Sequence, residues 1–264
     1  MPLEFNNEPI KLTLLGTGTS MGVPTIGCDC RVCTSSDPHD ARTRPSIMLE
    51  YNGHVVLVDT TPDFRQQAIR EKIKRIDAVL YTHAHADHIL GLDDVRPLSF
   101  RHPDKIPLYA DDSTADAMEA IFRYIFDPTY KFGGIARVSM NRIRGPVPLF
   151  GAVFEPVKVI HGEAEIHGFR FGSAAYLTDF SDIPADSMDK LRGLDILFLD
   201  ALRHKPHPTH SSVSNSLRLV EELQPKRAFF THISHDLPHE ETNKTFPDNV
   251  RLAHDGLKME FDIA

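Results

Sequence analysis

The run Thr82-His83-Ala84-His85-Ala86-Asp87-His88 places four metal-binding side chains within six residues, in the pattern H-x-H-x-D-H. It follows Ile76-Asp77-Ala78-Val79-Leu80-Tyr81, an apolar, β-branched-rich run that predicts a buried strand. A strand ending in clustered imidazoles and a carboxylate aims those groups into a cleft from a stiff base. Neutral imidazoles and carboxylates suit zinc, manganese or iron, and two spaced groups of them suit a two-metal site. A polar loop with coincidental histidines would carry neither the alternation nor the strand before it.

The length, 264 residues, suits one large domain spanning residues 1–264 with a substantial core. No apolar run reaches the ~18 residues that a membrane span needs. The first residues, Met1 to Glu8, lack a basic stretch followed by an apolar one, so no secretory signal is expected and the cytoplasm is the expected location. The net charge of −8 speaks against broad binding to nucleic acid, which needs a basic footprint. A small anionic substrate stays open, because bound cations reverse the local field. The three cysteines all lie in Gly27-Cys28-Asp29-Cys30-Arg31-Val32-Cys33, an odd and tight set that makes a poor disulfide framework. C-x-C-x-x-C suits thiolates around one zinc ion with a fourth ligand from elsewhere. Reduced cysteines in a loop are the alternative.

Lys11 to Leu15 predicts a first strand running into the turn Gly16-Thr17-Gly18-Thr19-Ser20, which lacks the Gly-Lys-Ser/Thr of a phosphate-binding loop. Ser46 to Tyr51 and His54 to Asp59 flank Asn52-Gly53 and predict a hairpin. Thr60-Thr61-Pro62-Asp63 predicts the start of a helix over 64–73 with Phe64, Ala68 and Ile69 inward. Ser113-Thr114-Ala115-Asp116 predicts the cap of a helix through 117–122. The aromatic, Gly-bearing stretch 126–134 reads as irregular, covering a pocket or packed as structure. Further strands are expected at 152–160, 168–172, 173–178, 194–199 and 227–230. An amphipathic helix is expected over 211–223 with Val213, Leu217, Val220 and Leu223 on one face. Five strand-like runs end at Asp59, His83, His161, Asp179 and His232. Strand ends along one edge of a sheet share a rim, so distant residues can converge there. His83, His85, His161 and His232 with Asp87, His88 and Asp179 supply enough donors for two ions.

H-x-H-x-D-H with a later His, Asp and His resembles the metallo-β-lactamase superfamily over nearly the whole chain. The resemblance implies an α/β fold, a four-layer αββα sandwich with the site along one edge of its two sheets. It implies that His83, His85 and His161 hold one metal, that Asp87, His88 and His232 hold the other, and that Asp179 bridges. Gly16 to Pro24, the cysteine loop, Asp94-Val95-Arg96-Pro97, His161-Gly162, Tyr176-Leu177-Thr178-Asp179 and Thr231-His232-Ile233-Ser234-His235 resemble the PhnP-type cyclic phosphodiesterases. That family implies a structural zinc on Cys28, Cys30, Cys33 and His235, and a homodimer is plausible from it.

The implied reaction is hydrolysis of a small phosphodiester, foremost a ribose cyclic phosphate, by a metal-bridging hydroxide, with zinc or manganese as the two catalytic ions. Asp87 and Asp179 would position the ions. His210, in His207-Pro208-Thr209-His210, matches the position of the family's general acid, with His204 and His207 as rivals. Thr209-His210-Ser211 could instead only begin the following helix. Asp59, and with less support Asp200, would orient a metal-ligating histidine. Arg96 would bind phosphate or pair with Asp93 or Asp94. The alternatives are an RNA-processing nuclease, a thioester hydrolase of the same fold, or a non-catalytic metal-binding protein. The nuclease would need an RNA-gripping arm rich in Gly and Lys, and the chain shows none.

Overall fold

Strand Ser46–Tyr51 shows how the layers arise. Ile47, Leu49 and Tyr51 enter one apolar core and Met48 enters another, so both faces of its sheet are covered. The computed structural model describes residues 9–130 and 132–262. Met1 to Glu8, read above for a secretory signal, and Lys131 of the 126–134 stretch lie outside the described residues.

The first half runs β1 (Ile10–Gly16), β2 (Ser46–Tyr51), β3 (His54–Val58), α1 (Phe64–Arg70), β4 (Ala78–Leu80), α2 (Ala86–Ile89), α3 (Arg96–Ser99), β5 (Ile106–Ala110), α4 (Asp112–Ile121), α5 (Arg123–Phe126) and β6 (Val138–Arg142). The second half runs β7 (Val147–Leu149), β8 (Ala152–His161), β9 (Ala164–Phe171), β10 (Ala174–Leu177), α6 (Ala185–Lys190), β11 (Ile196–Asp200), α7 (Val213–Leu223), β12 (Arg227–Thr231), α8 (His239–Asn243), β13 (Val250–Leu252) and β14 (Lys258–Phe261). Among the described residues two seven-stranded sheets result, in the orders β14-β1-β2-β3-β4-β5-β6 and β13-β12-β11-β10-β9-β8-β7.

Three apolar cores separate four layers. The central one interleaves Leu12, Leu49, Val58 and Leu80 of the first sheet with Phe154, Phe171, Tyr176 and Phe198 of the second. A second core packs Leu57, Val79 and Tyr81 against Phe64, Ile89, Ala115 and Met118 of the helices. A third packs Leu177, Leu199 and Phe230 against Val213, Leu219, Val220 and Leu223. The fold is therefore a four-layer αββα sandwich. Strands β3 to β6 are mutually parallel, as are β10 to β13. Ligands of α/β sheets gather outside the carboxyl ends of such strands, which locates the site.

The Asn52-Gly53 hairpin forms with both residues left-handed, at φ 48° and 73°. Three local expectations differ from what forms. Helix α1 ends at Arg70, and Ile69 is 62% exposed rather than inward. The buried partner of Phe64 is Gln67, whose Nε2 donates to Thr43 Oγ1 and the Arg44 carbonyl at 2.9 Å each. A polar seat thus takes the face that periodicity assigned to Ile69. Helix α4 starts before Ser113, because Asp111 caps it by accepting from the Thr114 amide at 2.7 Å. In α7 Leu219 is buried, and Leu217 only flanks the core.

Phe198→Ala is expected to cost about 3–5 kcal/mol in urea unfolding, whereas Ile69→Ala should stay within about 0.5 kcal/mol. Comparable losses for the two would contradict this orientation of α1.

Candidate active site

Six strand ends deliver the polar groups. Asp59 follows β3, Thr82 and His83 lie just beyond β4, His161 closes β8, Asp179 lies beyond β10, Asp200 closes β11, and His232 follows β12. Asp59, Asp179 and His232 are left-handed, at φ 66°, 56° and 56°. Such backbone costs about 1–3 kcal/mol per residue and persists only where the surroundings enforce it.

The outer ring nitrogens are tied down. His88 Nδ1 lies 2.8 Å from Asp59 Oδ2, and the Thr82 amide and hydroxyl both donate to the same carboxylate at 2.9 Å. His83 Nδ1 contacts Thr82 Oγ1 at 3.0 Å, and His161 Nδ1 donates to the Thr209 carbonyl at 2.8 Å. Each ring so held turns its Nε2 away from these partners.

Carboxylate oxygens stand close to the inward nitrogens. His88 Nε2 lies 3.2 Å from Asp87 Oδ2 and 3.1 Å from Asp179 Oδ2, and His232 Nε2 lies 3.0 Å from Asp179 Oδ1. Asp87, His88, Asp179 and His232 are all buried and form one group of metal-capable donors; His83, His85 and His161 form a second. Asp179 also groups with His161 and His210. His83 Nε2, His88 Nε2, His232 Nε2 and Asp87 Oδ2 are buried without a hydrogen-bond partner among the described residues. Lone pairs facing lone pairs at this range need a cation between them. Donors around a tetrahedral ion with ~2.0–2.1 Å bonds sit roughly 3.3 Å apart, so the residues fit a metal.

Electrostatics agree. Burial opposes a proton on His88, yet Asp87, Asp179 and Asp59 prevail and hold its pKa well above the usual histidine value. Against the same burial, Asp179 above all pushes His232 up to about 10. Burial alone would raise Asp87 and Asp179, but the neighbouring imidazoles hold both carboxyls well below the usual range. His83 and His161 shift the other way, since burial disfavours their charged forms. The raised His88 and His232 show how strongly the carboxylates favour positive charge between them.

His210 Nδ1 lies 2.8 Å from Asp200 Oδ2, and its ring stacks on His232 at 4.6 Å. Asp200 therefore orients His210 rather than one of the histidines expected to hold the two catalytic ions, because β11 ends beside the 204–212 loop. His207 lies 5.0 Å from His210, and its Nδ1 accepts from the Thr209 amide at 3.3 Å, while His204 is exposed. Arg96 pairs with Asp93 at 3.4 Å and donates to the Gly134 carbonyl. The role of Thr82, which links His83 to Asp59, has no counterpart among the sequence expectations; its only signal is a hydroxyl beside the histidine run.

Cys28, Cys30 and Cys33 place their sulfurs 3.3, 3.6 and 3.3 Å from His235 Nδ1. Three thiols and an imidazole at this spacing fit one tetrahedral zinc. The Cys33 amide donates to Cys30 Sγ at 3.4 Å and, above all other influences, lowers the Cys30 thiol. The Gly16–Ser20 turn joins the two sites. The Ile233 amide donates to the Thr17 carbonyl at 2.9 Å, and the Thr19 amide to the Ile233 carbonyl at 3.2 Å. A Cβ on Gly18 would lie 2.7 Å from the Arg42 carbonyl, so this close approach requires glycine.

Residues 54–233 match the β-lactamase superfamily domain, and the chain belongs to that superfamily of metal-binding hydrolases. Within it the chain is of the PhnP family. It is 62% identical to a diphosphatase of that family whose crystal structure superposes with a TM-score of 0.92, covering 97% of this chain and 98% of that one. An octanoyltransferase of Porphyromonas gingivalis is 35% identical over 258 residues, 96% of this chain and 52% of that protein; the chain thus spans about half its length. Zn²⁺-bound PqqB from Methylobacterium extorquens, at 18% identity and a TM-score of 0.80 over 95% of this chain and all of that one, shares the fold.

The raised His232 contributes stability that is full below pH ~6.5 and is lost as pH rises toward about 10. Asp87 and Asp179 stay charged across that window, so metal-free protein should melt at progressively lower temperature there. Metal loading should remove the slope, and a flat metal-free profile would contradict the arrangement. Cys30→Ser should lower both thermal stability and metal occupancy at His232; full occupancy with normal turnover would show that the two sites are not coupled.

Proposed function

We propose that this protein hydrolyses small phosphodiesters, with a ribose cyclic phosphate as the foremost substrate. The observation that carries the reading is the ring of partnerless, inward-facing imidazole and carboxylate atoms with the His210–Asp200 pair at its rim. His83, His85 and His161 would hold one divalent ion, zinc or manganese. Asp87, His88 and His232 would hold the other, with Asp179 between the two sets. Cys28, Cys30, Cys33 and His235 would hold a structural zinc. When bound, the catalytic ions acidify water and neutralise charge on phosphoryl oxygens.

The chain's own groups do the rest. Asp59 and Thr82 lock the orientation of His88 and His83, which keeps the donor set fixed through turnover. Asp200 accepts from His210 Nδ1 and leaves Nε2 to hand a proton to the leaving oxygen, so His210 is the general acid. His210 is 13% exposed, enough to meet a substrate and little enough to stay oriented. A small anion suits the site better than RNA, since the chain carries a net charge of −8.

A second reading follows from the 62% identical neighbour, a diphosphatase. Hydrolysis of a P–O–P linkage uses the same donor set but expels phosphate, a weakly basic leaving group. A ribose alkoxide is strongly basic and needs the proton. The two readings separate in His210→Ala. Turnover of ribose 1,2-cyclic phosphate should fall about 10²–10⁴-fold, while bis-p-nitrophenyl phosphate, with its good leaving group, should fall far less. Robust wild-type cleavage of a nucleoside diphosphate with none of the cyclic phosphate would favour the second reading. Equal losses on both esters would remove His210 from the general-acid role.

A further inference from the structure

Outside the catalytic and cysteine donor groups already described, a further cluster of imidazoles lies where the turn at Pro38–Asp40 meets the start of α8. His39 and His239 have ring centroids 4.7 Å apart, His39 and His254 4.2 Å, and His239 and His254 5.8 Å. The catalytic trio His83, His85 and His161 spans a similar range, 4.6 to 5.5 Å. His239 is 5% exposed, and its Nδ1 is buried with no hydrogen-bond partner among the described residues. One donor atom each from His39, His239 and Glu240 falls within 4.8 Å of the others.

We propose that His39, His239 and Glu240 form a third metal site, for a divalent transition ion such as Zn²⁺, with His254 stacked on His39 to fix its ring. Two imidazoles and a carboxylate are the donor set that borderline divalent ions prefer, and three protein ligands leave a position open to water. The surroundings favour a cation over an anion. Asp37 Oδ1 lies 3.7 Å from His39 Nδ1, and Asp40 accepts from the His239 amide at 2.8 Å. The nearby Arg42 is already consumed, donating to Asp40 and to the Ser234 and Leu237 carbonyls. His254 Nδ1 is held by the Asp255 carbonyl at 3.1 Å, which orients the stacking ring.

The position gives the site a purpose. His239 and Glu240 lie four and five residues beyond His235, and His39 lies six residues after Cys33. An ion there would staple the same two segments that the cysteine site joins, at a second point along each.

The test is a zinc count on dialysed protein at micromolar free zinc, by plasma mass spectrometry, for the wild type, His39→Gln and Glu240→Gln. Both substitutions lie at solvent-reached positions and should keep the fold, as checked by melting in EDTA. The wild type should hold one equivalent more than His39→Gln, and Glu240→Gln should bind that equivalent at least ~10-fold more weakly. Phosphoester turnover should be unchanged in both. Zinc should also raise the wild-type melting temperature beyond that of the variants, because an ion that binds only the folded state stabilises it. Equal zinc counts in all three proteins would overturn the proposal.

Discussion

Asp87 and Asp179 place carboxylate oxygens against imidazole Nε2 atoms at 3.0 to 3.2 Å in a site shielded from water, and the rest of the site is arranged around that contact. Water cannot screen these charges. Asp87 and Asp179 carry like charge in the same group, and each opposes the other's ionisation. A buried charge left unpaired costs several kcal/mol. A cation relieves both terms, and metal binding can contribute more than ~10 kcal/mol in favourable sites. That is enough to offset the left-handed backbone at Asp59, Asp179 and His232, whose turns aim the side chains.

The sandwich makes this convergence possible at little cost in flexibility. Parallel strands of both sheets end on one edge, so His83, His161, Asp179 and His232 stand on short, rigid leads from buried strands, while α2 carries Asp87 and His88. The outward nitrogens of His83, His88 and His161 are then fixed by Thr82, Asp59 and the Thr209 carbonyl. The Gly16–Ser20 turn pairs with Ile233 between His232 and His235, and so the cysteine loop braces the far side of the same rim.

Much of this is legible in the sequence because its signals are local. The histidine run after an apolar strand, the Asn52-Gly53 hairpin and the C-x-C-x-x-C spacing each declare themselves within a short window. The strand ends at Asp59, His161, Asp179 and His232 stand out as candidates, and the structure brings them together. What stays hidden depends on tertiary context. Periodicity turns Ile69 inward, but Gln67 finds partners on Thr43 and Arg44 that no local pattern reveals. Strands β5, β6, β7, β13 and β14 are three to five residues long, too short a window for their period to declare itself. The pairing of Asp200 with His210, rather than with a histidine expected to hold a catalytic ion, depends on how the 204–212 loop folds back over β11.

Divalent ions on this buried donor set, driving phosphodiester hydrolysis, are the centre of the proposed chemistry. The most direct measurement titrates metal-stripped protein with Mn²⁺ or Zn²⁺ while recording bound metal and turnover of a small phosphodiester in the same samples. Turnover should be absent at the start, rise with bound metal and saturate once the catalytic donors are filled. Full metal occupancy without any phosphoester turnover, or undiminished turnover in the stripped protein, would contradict it.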